Sequence, residues 1–233
     1  QSVADWVPFF DPAGTDEQAK KFRESLALIS NRFADKTLNF SVDQVNSAII
    51  GAEPPKFWFE NTVFARYQNP QKWRERQLRL IHVPSVPLFK GTPVIESMLA
   101  NLAEEGFEFE YKRLSGVRHT EALRVIGNAH ILIDQIYSLI PGQVVFEAVM
   151  VGTIAVSSGD LCIEHGLRET GNENLEICWV KADSRNLYIE LRKLLSTPID
   201  ELRDVYSYHY SIFSSHHVGE RNRRALCEQL EKR

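Results

Sequence analysis

The chain has 233 residues, 43% of them hydrophobic and 25% charged, enough apolar material to bury a core, which excludes disordered, collagen-like, coiled-coil and mucin-like chains. With 27 Lys and Arg against 31 Asp and Glu the net charge is −4, so there is no broad electrostatic footprint for nucleic acid or anionic lipid, and only a local anion site is left open. The length suits one large α/β domain, or one domain with part of another.

From Asp16 the run DEQAKKFRESLALISNRF sets Phe22, Leu26 and Ile29 on one stripe behind a Thr15–Asp16 cap, the spacing of an amphipathic helix. TLNFS reads as a buried strand, Val42 to Ile50 as a short helix, and KFWFENTVF as an aromatic and β-branched strand with its exit. Pro54-Pro55 breaks the chain before that strand, and the polar, basic stretch from Gln68 to Arg76 carries no apolar stripe. This predicts a domain boundary there, with residues 1–76 as the end of one domain and its linker and 77–233 as a second domain.

Beyond Arg76 the pattern becomes regular. LRLIHV predicts a strand, TPVIESMLANLAEE a helix, FEFEYKRL a strand, HTEALRVIGN a helix and AHILID a buried strand. VVFEAVMVG then predicts a helix, TIAVSS and LEICWV strands, and SRNLYIELRKLLS a helix, before a helical tail that ends in a basic segment. Strands separated by helices of about ten residues imply parallel pairing with crossovers, because parallel neighbours cannot be joined by a tight turn. The expectation is a Rossmann-like, doubly wound parallel sheet with a piece of a second domain before it.

In open α/β sheets ligands bind beyond the carboxyl ends of the strands, so the loops after LRLIHV, AHILID and TIAVSS are where binding residues are expected. The first loop runs from His82 through Ser85 to Lys90, Gly91 and Thr92. It places a cation and a flexible residue at the mouth of a helix, where backbone N–H groups and the positive helix end favour an anion. After the second strand come Asp134 and Gln135, then Gly142 at a helix start, and Glu147 about a turn into an apolar helix. A carboxylate in such a place needs a donor, and a ribose diol supplies two; a favourable interaction with the helix end or with a nearby arginine is the alternative.

In order along the chain, HVPS…KGT, HTEALRVIGNAHILIDQI and GQVVFEAVMVGTIAV resemble the C-terminal half of GT-B glycosyltransferases of the retaining, family 4-like kind. That family reads HAPS…KGT, then E-A-L…ADIVIDQ, then G-V-F-x-x-E-A-M-A-x-G-x-P-V-I. The match covers Leu78 to Val156, with a weaker echo in ENTVF near Asn61 of the family's P-N-x-V-D linker, and SSHHVGERNRRAL resembles its closing helices. The resemblance implies binding of a nucleoside-diphosphate sugar and transfer of the sugar to an acceptor hydroxyl. Lys90 is then the counterpart of the lysine that faces the diphosphate, with Ser85 and Gly91 in the same turn. Glu147 takes the part of the glutamate that holds the ribose hydroxyls, Gly142 lets backbone approach the donor, and Asp134 and Gln135 match the family's D-Q pair. No metal cofactor is expected, in keeping with the absence of a D-x-D pair and of a His/Cys cluster. Catalytic residues on the acceptor side are unassigned, because only residues before Gln68 are available for the acceptor domain and the rest is expected upstream of Gln1.

The chain departs from that pattern at three places. Leu139 stands eight residues before Glu147, where the family's E-x7-E pattern has an acid; Leu139-Ile140-Pro141-Gly142 replaces G-W-Y-G; and Ala155 replaces a proline. These bear on catalysis rather than on fold, and they keep three other readings open: a non-catalytic nucleotide-sugar-binding half that works with another subunit, a sugar-nucleotide epimerase, and a flavodoxin-like regulatory domain with Asp134 as phosphoacceptor. Cys162, Cys178 and Cys227 are odd in number and form no CxxC pair, which predicts a reducing, cytoplasmic setting. The cluster Arg221, Arg223 and Arg224 is expected to coat a solvated helix or to touch a membrane surface. His209, His216 and His217 are expected at the surface of the tail, His82 either as a donor to the ligand beside the phosphate turn or as a satisfied structural histidine, and Phe57, Trp58 and Phe59 in packing.

Overall fold

The computed structural model describes residues 64–138, 141–159 and 177–216, all within one compact unit, Phe59–Gly219. The elements expected before Phe64, together with Leu139, the stretch 160–176 and the arginine cluster after position 216, lie outside the described residues. Two 3-10 turns, Ala65–Tyr67 and Pro70–Arg74, lead into the sheet. The order is then β1 (Leu78–His82), α1 (Pro87–Lys90), α2 (Thr92–Glu104), β2 (Phe109–Arg113), α3 (His119–Asn128), β3 (Ile131–Ile133), α4 (Gln143–Met150), β4 (Ile154–Ser157), β5 (Val180–Lys181), α5 (Leu187–Ser196) and α6 (Ile199–His216). The five strands stand in the order β2-β1-β3-β4-β5 and every pair is parallel.

Both faces of the sheet are covered, and the period-2 alternation of each strand shows why. Ile81, Leu132 and Ala155 point to the face closed by α3, α4 and the end of α6 through Leu123, Ile126, Val145, Val149 and Phe213. Their neighbours Leu80, Ile131, Ile133, Ile154 and Val156 point to the opposite face, closed by α2, α5 and the start of α6 through Ile95, Leu99, Leu102, Leu187, Leu191 and Leu202. A strand buried on both sides reads as a continuous apolar run, as ILI and IAV do. The strand expected over LEICWV is shorter, only Val180–Lys181, with Cys178 and Trp179 buried beside it. Burial pushes the Cys178 thiol up to about 12, so it is an inert packing group at neutral pH.

Two results run against polarity. The polar run before the sheet contributes buried Lys72 and Trp73, and the Trp73 ring stacks on Tyr206 of α6 with centroids 5.8 Å apart and 22° between planes. His209, expected at the surface, is instead buried at 7% exposure. The physical reason is that α6 packs on one face of the sheet at Leu202 and on the other at Ile212 and Phe213, so its inward stripe runs past position 209. None of the described helices is long and apolar enough to cross a membrane.

Candidate functional site at the carboxyl edge of the sheet

The strand order reverses between β1 and β3, and at such a switch point the loops diverge to opposite faces and leave a crevice. The residues that follow these two strands are the ones the sequence singled out. His82 ends β1 fully buried, its Nδ1 2.7 Å from the Ile133 carbonyl and its Nε2 2.8 Å from Thr92 Oγ1. Both ring nitrogens are used within the fold, and burial lowers its pKa, so His82 is a structural tie between β1, β3 and α2.

Asp134, directly after β3, is the hub. Its carboxylate is 2% exposed and takes three donors: the Lys90 ammonium on Oδ1, and on Oδ2 the Gly142 N–H at 2.6 Å and the Ser157 hydroxyl at 3.1 Å. Three elements supply these groups, α1, the start of α4 and the end of β4. A carboxylate this deeply buried persists as an anion only when its lone pairs are met, and here they are. The Lys90 ammonium carries three N–H groups and gives one to Asp134; its side chain keeps 13% exposure, so two donors remain at the crevice.

Gly91 links α1 to α2 in the left-handed region, φ 78°, and a Cβ there would overlap the Ile136 side chain; both facts require glycine. At Gly142 the backbone is ordinary extended chain, but a Cβ would fall 2.7 and 2.9 Å from the Asp134 carboxylate oxygens and 2.9 Å from Lys90 Nζ. Close approach is what this position demands. Helices α2 and α4 both begin at this edge with glycine N-caps whose carbonyls take the Val94, Ile95 and Val145 N–H groups, and Pro93 has no N–H, so the N–H groups of Thr92, Gln143 and Val144 are the donors at these two helix starts.

Glu147 lies one turn into α4, 6% exposed between apolar neighbours. Its Oε1 receives His119 Nε2 at 3.0 Å and Gln143 Nε2 at 3.2 Å. Neither donor reaches Oε2. Gly142 and Gln143 are adjacent in the chain, so Lys90, Asp134, Gly142, Gln143, Glu147 and His119 form one bonded series from the mouth of β1 to the start of α3. Gln135 stays half-buried beside the hub, its carbonyl accepting from Ser158 N–H at 2.9 Å. Ser85 is exposed in the turn before α1 and bonds to none of this series.

Sequence reading missed Ser157 and His119. The strand-end rule points towards Ser157, since TIAVSS ends at this edge, and His119 opens a predicted helix; neither signal names the partner, because the partners are 23 and 28 residues away. Among the described residues no group of three or more His, Cys, Asp or Glu side chains is placed to hold a metal.

No family model and no curated protein sequence matches the chain. Solved structures do. HepE from Anabaena, in complex with UDP-glucose, superposes with a TM-score of 0.65 at 13% identity over 92% of this chain and 68% of that one. Sucrose-phosphate synthase from Thermosynechococcus elongatus superposes with a TM-score of 0.63 at 13% identity, over 90% of this chain and 61% of that one. The likeness is one of fold: a Rossmann-like α/β domain of the kind that forms the C-terminal half of GT-B glycosyltransferases.

Proposed function

We propose that this chain is the donor-binding part of a glycosyltransferase that moves a sugar from a nucleoside diphosphate to an acceptor hydroxyl, with retention and without a metal, and that residues before position 77 belong to the end of an acceptor-side domain and its linker. The observation that carries the reading is the bonded series that joins Lys90 to Glu147 across the switch point. One end offers N–H donors and the other an uncommitted carboxylate oxygen, matching a diphosphate and a ribose diol.

The chemistry follows from that polarity. The bond between the anomeric carbon and the diphosphate oxygen breaks, and negative charge grows on the leaving phosphate as the sugar becomes oxocarbenium-like. In this reading the two remaining Lys90 N–H groups and the starts of α2 and α4 supply donors to that charge. Fixed donors in a partly closed site stabilise it without reorganising. The acceptor oxygen then bonds to the anomeric carbon, and its proton passes to the departing diphosphate oxygen. Asp134 holds Lys90 in place, since a buried carboxylate fixes one rotamer of a flexible side chain. Ser85 and Gln135 border this end of the sheet, and we assign them to the rim of the donor site.

Calorimetric titration with UDP, GDP and dTDP tests the reading. Lys90→Gln and Glu147→Gln are each expected to weaken the nucleotide that binds by about tenfold, the scale of one charge-assisted hydrogen bond. Unchanged affinity in both variants overturns the assignment. A second reading, a binding half without turnover, is favoured by Leu139 in place of the acid of the E-x7-E pattern. Release of free nucleotide from a sugar nucleotide in the presence of acceptors separates the two.

A further inference from the structure

We infer that His119 is a positioning residue for the donor's ribose: with Gln143 it holds one oxygen of Glu147 so that the other oxygen is presented to the vicinal diol. The inference rests on the reading of Glu147 given above and extends it to a residue outside the expected set.

Three observations support it. Glu147 sits in a helix whose neighbours Val145, Phe146, Ala148 and Val149 are all buried, so its carboxylate finds few polar partners and each one fixes its direction. Both donors, His119 Nε2 at 3.0 Å and Gln143 Nε2 at 3.2 Å, fall on Oε1. They come from different elements, His119 from the first position of α3 and Gln143 from the first position of α4, so the carboxylate is braced from two sides. Because an ionised carboxylate only accepts, the imidazole must carry its proton on Nε2. The His119 side chain is 60% exposed, while that of Glu147 is 8% exposed. The histidine therefore stands at the rim and directs a group deeper than itself. Loss of His119 leaves Gln143 in place and frees the carboxylate to turn, so the expected defect is partial and confined to what the diol recognises.

The test is calorimetric binding of UDP and 2′-deoxy-UDP, and of GDP and 2′-deoxy-GDP, to the full chain and its variants. His119→Ala is expected to weaken the ribonucleotide about fivefold while leaving the 2′-deoxy form unchanged, so that the preference for ribose shrinks by the same factor. His119→Gln, which keeps an N–H donor at similar reach, is expected to restore affinity to within about twofold. The double variant His119→Ala, Gln143→Ala is expected to lose the ribose preference. If Glu147→Gln removes the preference but His119→Ala leaves it intact, or if His119→Ala weakens both nucleotides equally, the positioning role is overturned and the donor-site reading stands. If no nucleotide binds the full chain, or Glu147→Gln leaves the preference unchanged, the reading of Glu147 falls and this inference with it.

Discussion

The two ends of the parallel sheet bury charged side chains of opposite sign, Lys72 at the amino edge and Asp134 with Glu147 at the carboxyl edge. At the amino edge the Lys72 ammonium is fully buried and donates to the Gly127 carbonyl at 3.0 Å, the Ala129 carbonyl and Thr153 Oγ1 at 3.0 Å. At the carboxyl edge the Asp134 carboxylate receives an ammonium, a backbone N–H and a hydroxyl. The chain direction accounts for this. In a parallel sheet each helix that crosses from one strand to the next starts at the carboxyl edge and ends at the amino edge, so N–H groups of these helices collect at one end and C=O groups at the other, and each end accommodates the opposite charge. Lys72 caps the carboxyl end of α3, and Asp134 sits at the start of α4.

What differs is closure. The three Lys72 donors meet three acceptors, and His130 completes the knot, its Nδ1 accepting from Arg79 N–H at 3.0 Å and its Nε2 donating to the Lys72 carbonyl at 2.8 Å. Within this knot every Lys72 N–H and both His130 ring nitrogens are taken up by the fold. At the carboxyl edge Lys90 keeps two N–H groups and Glu147 keeps one oxygen. The same fold therefore closes one end as a brace and leaves the other with donors and an acceptor open.

Removing the closed end is expected to have the largest effect. Lys72→Met keeps the aliphatic stem, strands the Gly127 carbonyl and leaves that of Ala129 with only the Thr153 hydroxyl, and it should lower unfolding stability by about 3 kcal/mol in urea or thermal melts, with nucleotide affinity of the folded protein unchanged. A loss of affinity without loss of stability would show that the two ends are not separate in this way.

The buried histidines give a second, smaller contrast. Burial lowers both His130 and His209 to about 4, below the unfolded value of about 6.5. Between those values the unfolded chain binds more protons than the folded one, so stability should fall as pH drops from about 6.5 to about 4, by up to about 1.4 kcal/mol per pH unit for each histidine. His130 is bonded at both nitrogens, whereas His209 Nδ1 has no hydrogen-bond partner. His209→Leu should thus flatten the acid slope with little loss at neutral pH, and His130→Leu should flatten it while lowering stability throughout by about 2 kcal/mol. Equal behaviour of the two variants in melts at pH 5 and 7.5 would contradict that distinction.

The smallest effect on folding belongs to the open end. Gly142→Ala suits the local backbone but forces a Cβ against the Asp134–Lys90 pair. The expected result is a stability change of about 1 kcal/mol or less together with a nucleotide affinity about fivefold weaker, read by calorimetry beside a melt.

Nearly all of the described sheet was legible because its code is local. Alternation in LRLIH and the apolar runs ILI and IAV mark strands, a 3.6-residue stripe marks α2, α3 and α5, and strand–helix alternation from β1 to β4 implies parallel pairing. The ends of β1, β3 and β4 were legible as one edge, where the structure bonds Asp134 to Lys90, Gly142 and Ser157. Burial of Lys72 and His209 was not, since composition says polar while the packing of α6 and the end of α3 says interior. Nor did any local pattern pair Lys90 with Asp134 or His119 with Glu147, which lie 44 and 28 residues apart. Residue order thus determined the elements, the direction of the strands and the edge at which the strand-end loops gather, because these depend on backbone geometry within a few turns. Only the tertiary structure decided which charge is enclosed and which is left open, because that depends on what distant segments bring to the same few ångströms.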